Sequence, residues 1–317
     1  MNQRKLGQSE IRVSPLAFGG NVFGWTVDEP TSFALLDQFV SSGFNLIDTA
    51  DVYSRWVPGH SGGESETIVG KWLKRSGKRA QVVIATKVGL EMGPGRKGLG
   101  KAYILQAVED SLRRLQTDYI DLYQSHLDDA GTALEETLEA HALLVRQGKV
   151  RVIGASNHSA PRLEQALNAS RQNACPRYES LQPEYNLYDR SGFEAALEPV
   201  CVKHGIGVIC YYALAKGFLT GKYRSEQDLA KSVRGGGVKA CMNERGFRIL
   251  DALDAVAKQH HSTPAGVALA WLIARPSITA PIASATGAGQ LTELIEATRL
   301  QLDQASIERL NVASASD

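Results

Sequence analysis

The sequence has few cysteines and no apolar run long enough to cross a membrane. Its 317 residues include four cysteines, which show neither a C-x-x-C pair nor a regular spacing (Cys175, Cys201, Cys210 and Cys241). We therefore expect reduced thiols in a cytoplasmic protein rather than a disulfide framework. The longest apolar stretch, residues 265–274, is about half a membrane span, and no signal-peptide pattern follows the first residues.

Neither sign of charge is in excess. Lysine and arginine number 35 against 34 aspartates and glutamates, a net charge of +1. Because nucleic-acid-binding domains usually carry a strongly basic face, we expect no nucleic-acid partner. The seven histidines form no H-x-H pair on a strand and no H-E-x-x-H motif, so no metal site is predicted.

The apolar pattern predicts a closed α/β barrel. Composition is globular, with 43% hydrophobic and 22% charged residues. Short β-branched runs begin near eight positions: Leu16, Phe44, Val82, Tyr119, Val150, Glu179, Gly207 and Thr279. Helical spacing occupies the stretches 32–40, 64–74, 104–115, 134–147, 162–170, 193–204, 246–260, 265–274 and 291–298. A strand followed by a helix, eight times, is typical of a (β/α)8 TIM barrel, and we expect one domain over residues 1–317.

Local signals add detail to this barrel. Residues 4–14, with Gly7 at the turn, predict an N-terminal hairpin under the barrel. About 70 residues separate the last two strands and contain two helical patterns, so we expect extra helices before strand eight, and further helix at the C-terminus. A doubly wound sheet is the alternative, but it usually has G-x-G-x-x-G after the first strand, and residues 18–24 lack that spacing.

Four reactive side chains follow successive predicted strands. Asp48 and Tyr53 follow strand two, Lys87 strand three and His126 strand four. Barrel active sites lie at the carboxyl ends of the strands. Each residue alone has a structural explanation, as a helix cap, a loop aromatic, a solvated strand end or a core histidine. Together they indicate a site, in which the Lys87 ammonium pairs with Asp48.

The chemistry of this group suits protonation of a carbonyl. An ammonium beside a phenol is expected to lower the pKa of Tyr53 from about 10, making it a better acid. His126 would donate a hydrogen bond to the substrate carbonyl. The site has no hydride source, so it implies a cofactor. Glycine-bearing segments 214–224 and 284–290 follow strands seven and eight, the usual phosphate site of this fold, although ordinary turns are an alternative.

At these residues the sequence resembles the aldo-keto reductase family over nearly its whole length. Six motifs carry the resemblance, in order: residues 43–53 (GFNLIDTADVY), 63–70 (GESETIVG), 111–123 (SLRRLQTDYIDLY), 148–157 (GKVRVIGASN), 182–186 (QPEYN) and the strand-seven loop through 221–223 (GKY). The pattern is similar to the bacterial branch that also resembles potassium-channel β subunits.

The resemblance implies an NAD(P)H-dependent carbonyl reductase with Asp48, Tyr53, Lys87 and His126 as its catalytic tetrad and Tyr53 as the general acid. It places the nicotinamide amide on Ser156, Asn157 and Gln182 and its ring on Tyr211. The remaining residues implied at the cofactor are Gly20, Asn21, Asp48, Ala213, Leu214, Lys216, Gly217, Leu219, Lys222, Ser284, Thr286, Gln290 and Glu293.

Two departures from the family pattern concern the cofactor. Ser284 stands where glycine is frequent, and no basic residue lies near Thr286 to pair with a 2′-phosphate. We expect NADPH, with NADH as the alternative, and positive charge from Lys222, Arg224, Arg234 or Lys239. In addition, Tyr212-Ala213 replaces the usual Ser-Pro or Ser-Ala.

Substrate and partners are less defined by the sequence. Trp25, Trp56, Leu90 and Leu127 are expected to line an apolar substrate pocket, with ordinary packing as the alternative for the tryptophans. The first hypothesis is a reductase of aldehydes or ketones with NADPH, acting on a small-molecule carbonyl substrate. The alternatives are a cofactor-binding, redox-sensing or partner-docking subunit with little turnover, and a phosphosugar isomerase or lyase. Neither a monomer nor a homo-oligomer is favoured.

Overall fold

Eight parallel strands close into a barrel in the computed structural model, which describes residues 2–233 and 235–315. The order around the barrel follows the chain, and the last strand pairs with both the first and the seventh. The predicted (β/α)8 fold is therefore confirmed. The barrel strands are β3 (Ala17–Gly19), β4 (Leu46–Asp48), β5 (Val83–Val88), β6 (Ile120–Ser125), β7 (Val150–Ser156), β8 (Tyr178–Gln182), β9 (Gly207–Cys210) and β10 (Ile278–Ala283).

Helices surround the barrel close to the predicted positions. They are α1 (Glu29–Ser41), α2 (Glu64–Ser76), α3 (Lys101–Leu115), α4 (Leu134–Arg146), α5 (Ala160–Gln172), α6 (Ser191–Glu194), α7 (Leu197–His204), α8 (Glu244–Gln259), α9 (Pro264–Ala274), α10 (Ala288–Ala297) and α11 (Gln304–Ser314). The stretch 193–204, predicted as one helix, is divided because Ala196 leaves the helical region at φ −136°. Across the described ranges, no helix combines the length and apolarity needed to cross a membrane.

The expected hairpin lies at the amino end of the barrel. Strands β1 (Arg4–Lys5) and β2 (Arg12–Val13) are antiparallel. Gly7 turns between them at φ +59°, and a Cβ there would lie 2.2 Å from the carbonyl oxygen of Glu179, so only glycine fits. Apolar side chains of the hairpin contact inward-facing residues of the barrel strands and plug this end: Leu6, Ile11, Val13, Leu46, Val83 and Leu122.

The long segment between β9 and β10 contains the two predicted helices, α8 and α9. Before them run three short 3-10 segments, Ala215–Thr220, Glu226–Lys231 and Gly235–Cys241. Phe218, Tyr223 and Val238 are completely buried. These anchors hold the segment against the barrel beside the carboxyl end of β9, where the cofactor loop is predicted.

Candidate active site

Lys87 lies at the centre of a buried polar cluster in the barrel mouth. Asp48 ends β4 and Lys87 lies near the end of the neighbouring strand β5. The Lys87 ammonium donates to Asp48 Oδ2 at 2.7 Å, to the Thr49 carbonyl at 2.8 Å and to the Tyr53 hydroxyl oxygen at 3.0 Å. These three acceptors use all three ammonium protons. The structure therefore brings Asp48, Lys87 and Tyr53 together.

The second oxygen of Asp48 is held by side-chain amides. Gln182 Nε2 donates to Asp48 Oδ1 at 2.9 Å, and Gln124 Nε2 lies 3.5 Å from the same oxygen. Both glutamines are buried. The Gln182 amide expected at the nicotinamide thus faces Asp48. Gln124 was not among the predicted site residues, although its inward alternation with His126, the residue after β6, is the signal that could have found it.

His126 contacts the same cluster from β6. Its ring lies edge-to-face against Tyr53, with 6.0 Å between centroids. Burial, reinforced by the charge of Lys87, holds the pKa of His126 well below its usual range. The imidazole is therefore neutral at physiological pH. Among the described residues its Nδ1 has no hydrogen-bond partner.

The expected lowering of the Tyr53 pKa is wrong for this structure. Burial raises the pKa of Tyr53, and the opposing effect of the Lys87 charge does not fully cancel that rise. Burial would likewise lower the pKa of Lys87, but Asp48 and Tyr53 reverse the shift and raise it. At neutral pH the phenol thus keeps its proton and the ammonium its charge. Because the Tyr53 oxygen accepts from Lys87, its own O–H is free to be donated.

The residues predicted at the nicotinamide converge beside this cluster. Ser156 Oγ donates to the Gln182 carbonyl at 2.8 Å, and Asn157 Nδ2 donates to the His126 carbonyl at 2.9 Å. The Tyr211 hydroxyl donates to Asn157 Oδ1 at 2.9 Å. These contacts join the ends of β6, β7 and β8 to the residue after β9. A polar rim with an aromatic ring on one side fits a nicotinamide.

The loop after β9 contains a run of residues in the left-handed region. Ala215, Lys216 and Gly217 are consecutive residues with positive φ, at +46°, +58° and +104°. The Ala215 N–H donates to the Tyr212 carbonyl at 2.7 Å, and the Gly217 N–H donates to the Leu214 carbonyl at 2.8 Å. Of the other predicted contacts here, Ala213 and Leu219 are buried and Leu214 is partly buried. The residues predicted at the pyrophosphate thus lie in one tight turn, in which Lys216 is exposed.

The residues predicted at the cofactor after β10 lie in two groups, one beside β3 and one at the start of α10. Ser284 Oγ donates to the Gly19 carbonyl at 2.7 Å and lies 2.8 Å from Asn21 Oδ1, next to Gly20. Thr286 donates through its backbone N–H to Gln290 Oε1 at 2.9 Å, on the exposed first turn of α10. Glu293 lies further along the same helix, half-buried. No side chain caps the amino end of α10 within the described residues, and free N–H groups there suit an anion.

The basic residues expected near a 2′-phosphate differ in availability. Arg224 pairs with Asp254 at 2.8 Å, and Lys239 with Glu226 at 3.1 Å. Arg234 lies outside the described residues. Lys222 is exposed, and the structure, within residues 2–233 and 235–315, gives it no carboxylate partner. Of the three described candidates, Lys222 is the one without a carboxylate partner, and its ammonium lies 5.0 Å from the centroid of the Tyr223 ring.

Aromatic rings border the mouth on the side of Tyr53. Trp56 lies edge-to-face between Tyr53 and Trp25, with centroids 5.6 and 5.5 Å away, and 48% of its surface is exposed. Leu90 packs with Tyr53 in a small apolar cluster. Leu127 lies next to His126, against Gly89. The structure thus places Trp56 against Tyr53, Trp25 against Trp56, and Leu90 in the same apolar cluster as Tyr53.

Comparison with known proteins identifies the family. Residues 15–315 match the model of the aldo/keto reductase family. The chain is 34% identical to the uncharacterized oxidoreductase YrpG of Bacillus subtilis, over 98% of this chain and 95% of the relative. It is 31% identical to a probable voltage-gated potassium channel subunit beta of Arabidopsis thaliana (94% and 91% covered) and 30% identical to L-glyceraldehyde 3-phosphate reductase of Escherichia coli (94% and 87%). The expected resemblance is confirmed, and the chain belongs to the aldo/keto reductase family of NAD(P)H-dependent oxidoreductases.

Proposed function

We propose that this protein reduces an aldehyde or ketone to the alcohol with NADPH, reversibly, and that Tyr53 is the general acid. The observation that carries the proposal is the buried Lys87 ammonium, which donates to both Asp48 and Tyr53. This arrangement leaves the phenolic proton available at the barrel mouth. The family to which the chain belongs carries out carbonyl reduction.

The charge of the Lys87 ammonium favours proton transfer from Tyr53. When the phenol gives up its proton, the phenolate lies 3.0 Å from a positive ammonium that is already in place. A preorganised charge stabilises the developing anion without reorganisation of solvent. Asp48 keeps Lys87 charged and oriented. His126, being neutral, keeps one N–H with which to hold the carbonyl oxygen.

The cofactor residues complete the proposal. NADPH, when bound, supplies the hydride. Ser156, Asn157 and Tyr211 would hold the nicotinamide, and the loop at Lys216 and Gly217 the pyrophosphate. Members of the family generally use NADP(H), and Lys222, exposed and without a carboxylate partner among the described residues, supports a preference for NADPH over NADH.

The substrate is proposed to be a small carbonyl compound placed against Trp25 and Trp56. Two relatives carry reductase names that include a carbonyl substrate, norsolorinic acid reductase of Aspergillus flavus and L-glyceraldehyde 3-phosphate reductase of Escherichia coli. The cytoplasm is the proposed location, because all four cysteines are unpaired, as in proteins of a reducing compartment.

A docking subunit with little turnover is the second candidate. Its support is the similarity to the probable potassium channel β subunit. An intact tetrad is compatible with both candidates. Turnover distinguishes them, because a docking subunit would bind the cofactor and a partner protein while reducing no member of a broad carbonyl panel.

Titration with NADPH and NADH, followed by quenching of tryptophan fluorescence, tests the cofactor. We expect tight NADPH binding and weaker NADH binding, with NADPH oxidised when carbonyl compounds are added. Binding of neither cofactor would contradict the proposed reductase. Tight binding without turnover on any carbonyl would favour the docking subunit.

A further inference from the structure

We propose that the first turn of α2 positions the catalytic tetrad from outside the barrel, with Ser65 and Glu66 as positioning residues. The inference rests on the proposed function, since it concerns the same site. Both side chains are completely buried, which is unusual for a glutamate. Three consecutive residues of α2 each bind a residue adjacent to the tetrad. Glu64 binds the neighbour of Tyr53, Ser65 the neighbour of Asp48, and Glu66 the neighbour of Lys87.

Ser65 fixes one of the three acceptors of the Lys87 ammonium. Its Oγ accepts a hydrogen bond from Thr49 Oγ1 at 2.8 Å and donates to the Gly20 carbonyl at 2.7 Å. The Thr49 carbonyl is the acceptor that Lys87 reaches at 2.8 Å. Ser65 thus links the residue after Asp48 to Gly20, a predicted cofactor contact. Removal of this hydroxyl leaves Thr49 with its backbone N–H bond to the Ala85 carbonyl at 2.8 Å, so the Thr49 carbonyl, and with it the ammonium, is held less firmly.

Glu66 holds the strand that carries Lys87. Glu66 Oε1 accepts from Thr86 Oγ1 at 2.6 Å, and its Oε2 accepts from Arg114 Nε at 2.7 Å. Successive side chains of a strand point to opposite faces, so Thr86 points outward where Lys87 points into the mouth. The bond from Thr86 to Glu66 therefore anchors β5 to α2 at the position before the catalytic lysine. Arg114 supplies the charge that a buried carboxylate needs.

Glu64 and the backbone of Ser65 hold the loop that carries Tyr53. Glu64 Oε2 accepts from the Ser54 N–H at 3.1 Å, and the Ser65 N–H donates to the Tyr53 carbonyl at 3.2 Å. Glu64 Oε1 also accepts from the Ser61 N–H at 2.9 Å. One helical turn thus contacts the chain beside three of the four tetrad residues.

Loss of these supporting contacts should affect catalysis because the Lys87 side chain is held in place by its acceptors. This side chain is long and flexible, and the 3.0 Å contact to Tyr53 depends on where its acceptors lie. Displacements of about 1 Å far from the reacting atoms can cost as much as ~100-fold in rate. Ser65→Ala and Thr86→Val should therefore lower kcat about 10- to 100-fold and leave KM for the carbonyl nearly unchanged.

Thr67→Ala is the matched control. Thr67 lies in the same turn, but its Oγ1 donates only to the Gly63 carbonyl of its own helix, at 2.8 Å. Its loss removes a hydroxyl from α2 without freeing any neighbour of the tetrad. We expect kcat of Thr67→Ala to match the wild type. Thr86→Val keeps the side-chain shape but takes the hydrogen bond from Glu66 Oε1, a buried acceptor, so its free energy of unfolding is measured beside its kcat.

A spectroscopic readout separates this proposal from the proposed function. In protein labelled with 3-fluorotyrosine, the ten tyrosines give separate 19F signals, and the Tyr53 signal is the one missing from Tyr53→Phe. We expect Ser65→Ala and Thr86→Val to shift that signal and Thr67→Ala to leave it in place.

The two failures are distinguishable. A wild type without carbonyl turnover would contradict the proposed function, while the Tyr53 signal would still decide whether α2 positions this residue. Either Ser65→Ala or Thr86→Val, folded and with the Tyr53 signal of the control, would overturn the positioning role. If the wild type is active, a kcat of Ser65→Ala or Thr86→Val equal to that of Thr67→Ala would also overturn the positioning role.

Discussion

The side chains at the centre of the two ends of the barrel are equally buried and chemically opposite. At the amino end, the hairpin residues Leu6 and Val13 are completely buried against apolar strand residues. At the carboxyl end, Lys87 is just as inaccessible, but every ammonium proton meets an oxygen. Burial of apolar surface stabilises the fold without specifying a reaction. A buried charge is tolerated only when it is fully partnered, and its partners then define the chemistry.

The comparison predicts a division of effects. Substitutions at the plug should change stability and leave the chemistry intact, because no polar group of the mouth depends on them directly. Substitutions at the mouth should change the reaction more than the free energy of unfolding.

Tyr53→Phe should have the largest effect. It removes the proposed acid while keeping the ring against Trp56 and His126, so the fold should be preserved. Positioned acids contribute about 10²- to 10⁴-fold, and we expect kcat to fall by about 10³-fold. Steady-state NADPH oxidation measures this, and fluorescence titration should show nearly unchanged cofactor binding. Turnover at the wild-type rate would show that another group is the acid.

Leu6→Ala should weaken the plug alone. Truncation of a fully buried leucine costs about 2–5 kcal/mol through lost burial and the cavity left behind. Urea unfolding measures the free energy, and kcat per folded molecule should equal that of the wild type. A large loss of kcat at full folding would break the proposed separation between the two ends.

Asp51 is a buried carboxyl that contrasts with Asp48. Asp51 is 2% exposed, and neither of its oxygens has a hydrogen-bond partner among the described residues. Burial, and then the charge of Glu66, raises its pKa to about 8. The folded state therefore holds this proton more tightly than the unfolded chain. The stability from Asp51 is present below the unfolded pKa, near 4, and is lost as pH rises through about 8.

Asp51→Asn should remove this pH dependence. Between pH 5 and pH 8 the wild type should lose of the order of 2–4 kcal/mol that the variant keeps. Thermal unfolding of both proteins across this range provides the test. Parallel stability curves would mean that Asp51 is ionised in the folded protein and has partners of its own.

Lys222→Ala should have the smallest effect, and it tests whether Lys222 contacts the 2′-phosphate of the cofactor. Loss of one charge-assisted hydrogen bond to a phosphate costs about 1.5–3 kcal/mol, so Kd for NADPH should rise at least about 10-fold. Kd for NADH, which lacks the 2′-phosphate, should not change. Lys239→Ala, which loses a lysine already paired with Glu226, is the control. Equal weakening of both cofactors would place Lys222 at the pyrophosphate instead.

Sequence periodicity predicted the barrel because its signals are local. Each strand is a short apolar run, each helix has its own spacing, and glycine at residue 7 marks the hairpin turn. The pairing of Lys87 with Asp48 was also predictable, since parallel strand ends meet at one mouth. The division of helices α6 and α7 was not, because alanines at 195 and 196 give no signal for a break.

The support behind the tetrad could not be predicted in the same way. Ser65 and Glu66 look like ordinary polar residues at a helix start, and their burial depends on how closely α2 approaches β4 and β5. The direction of the Tyr53 pKa depended on burial as well as on Lys87, and a sequence does not reveal how much water remains around a phenol. Asp51 was missed for the same reason.

Deuterium transfer tests the central claim most directly. NADPH carrying deuterium at both positions of the nicotinamide C4 would be incubated with the protein and an aldehyde that supports turnover, and the alcohol analysed by mass spectrometry. The account predicts one deuterium on the carbinol carbon of each product molecule, with the rate depressed in Tyr53→Phe. Alcohol without deuterium, or none with any carbonyl tested, would contradict it.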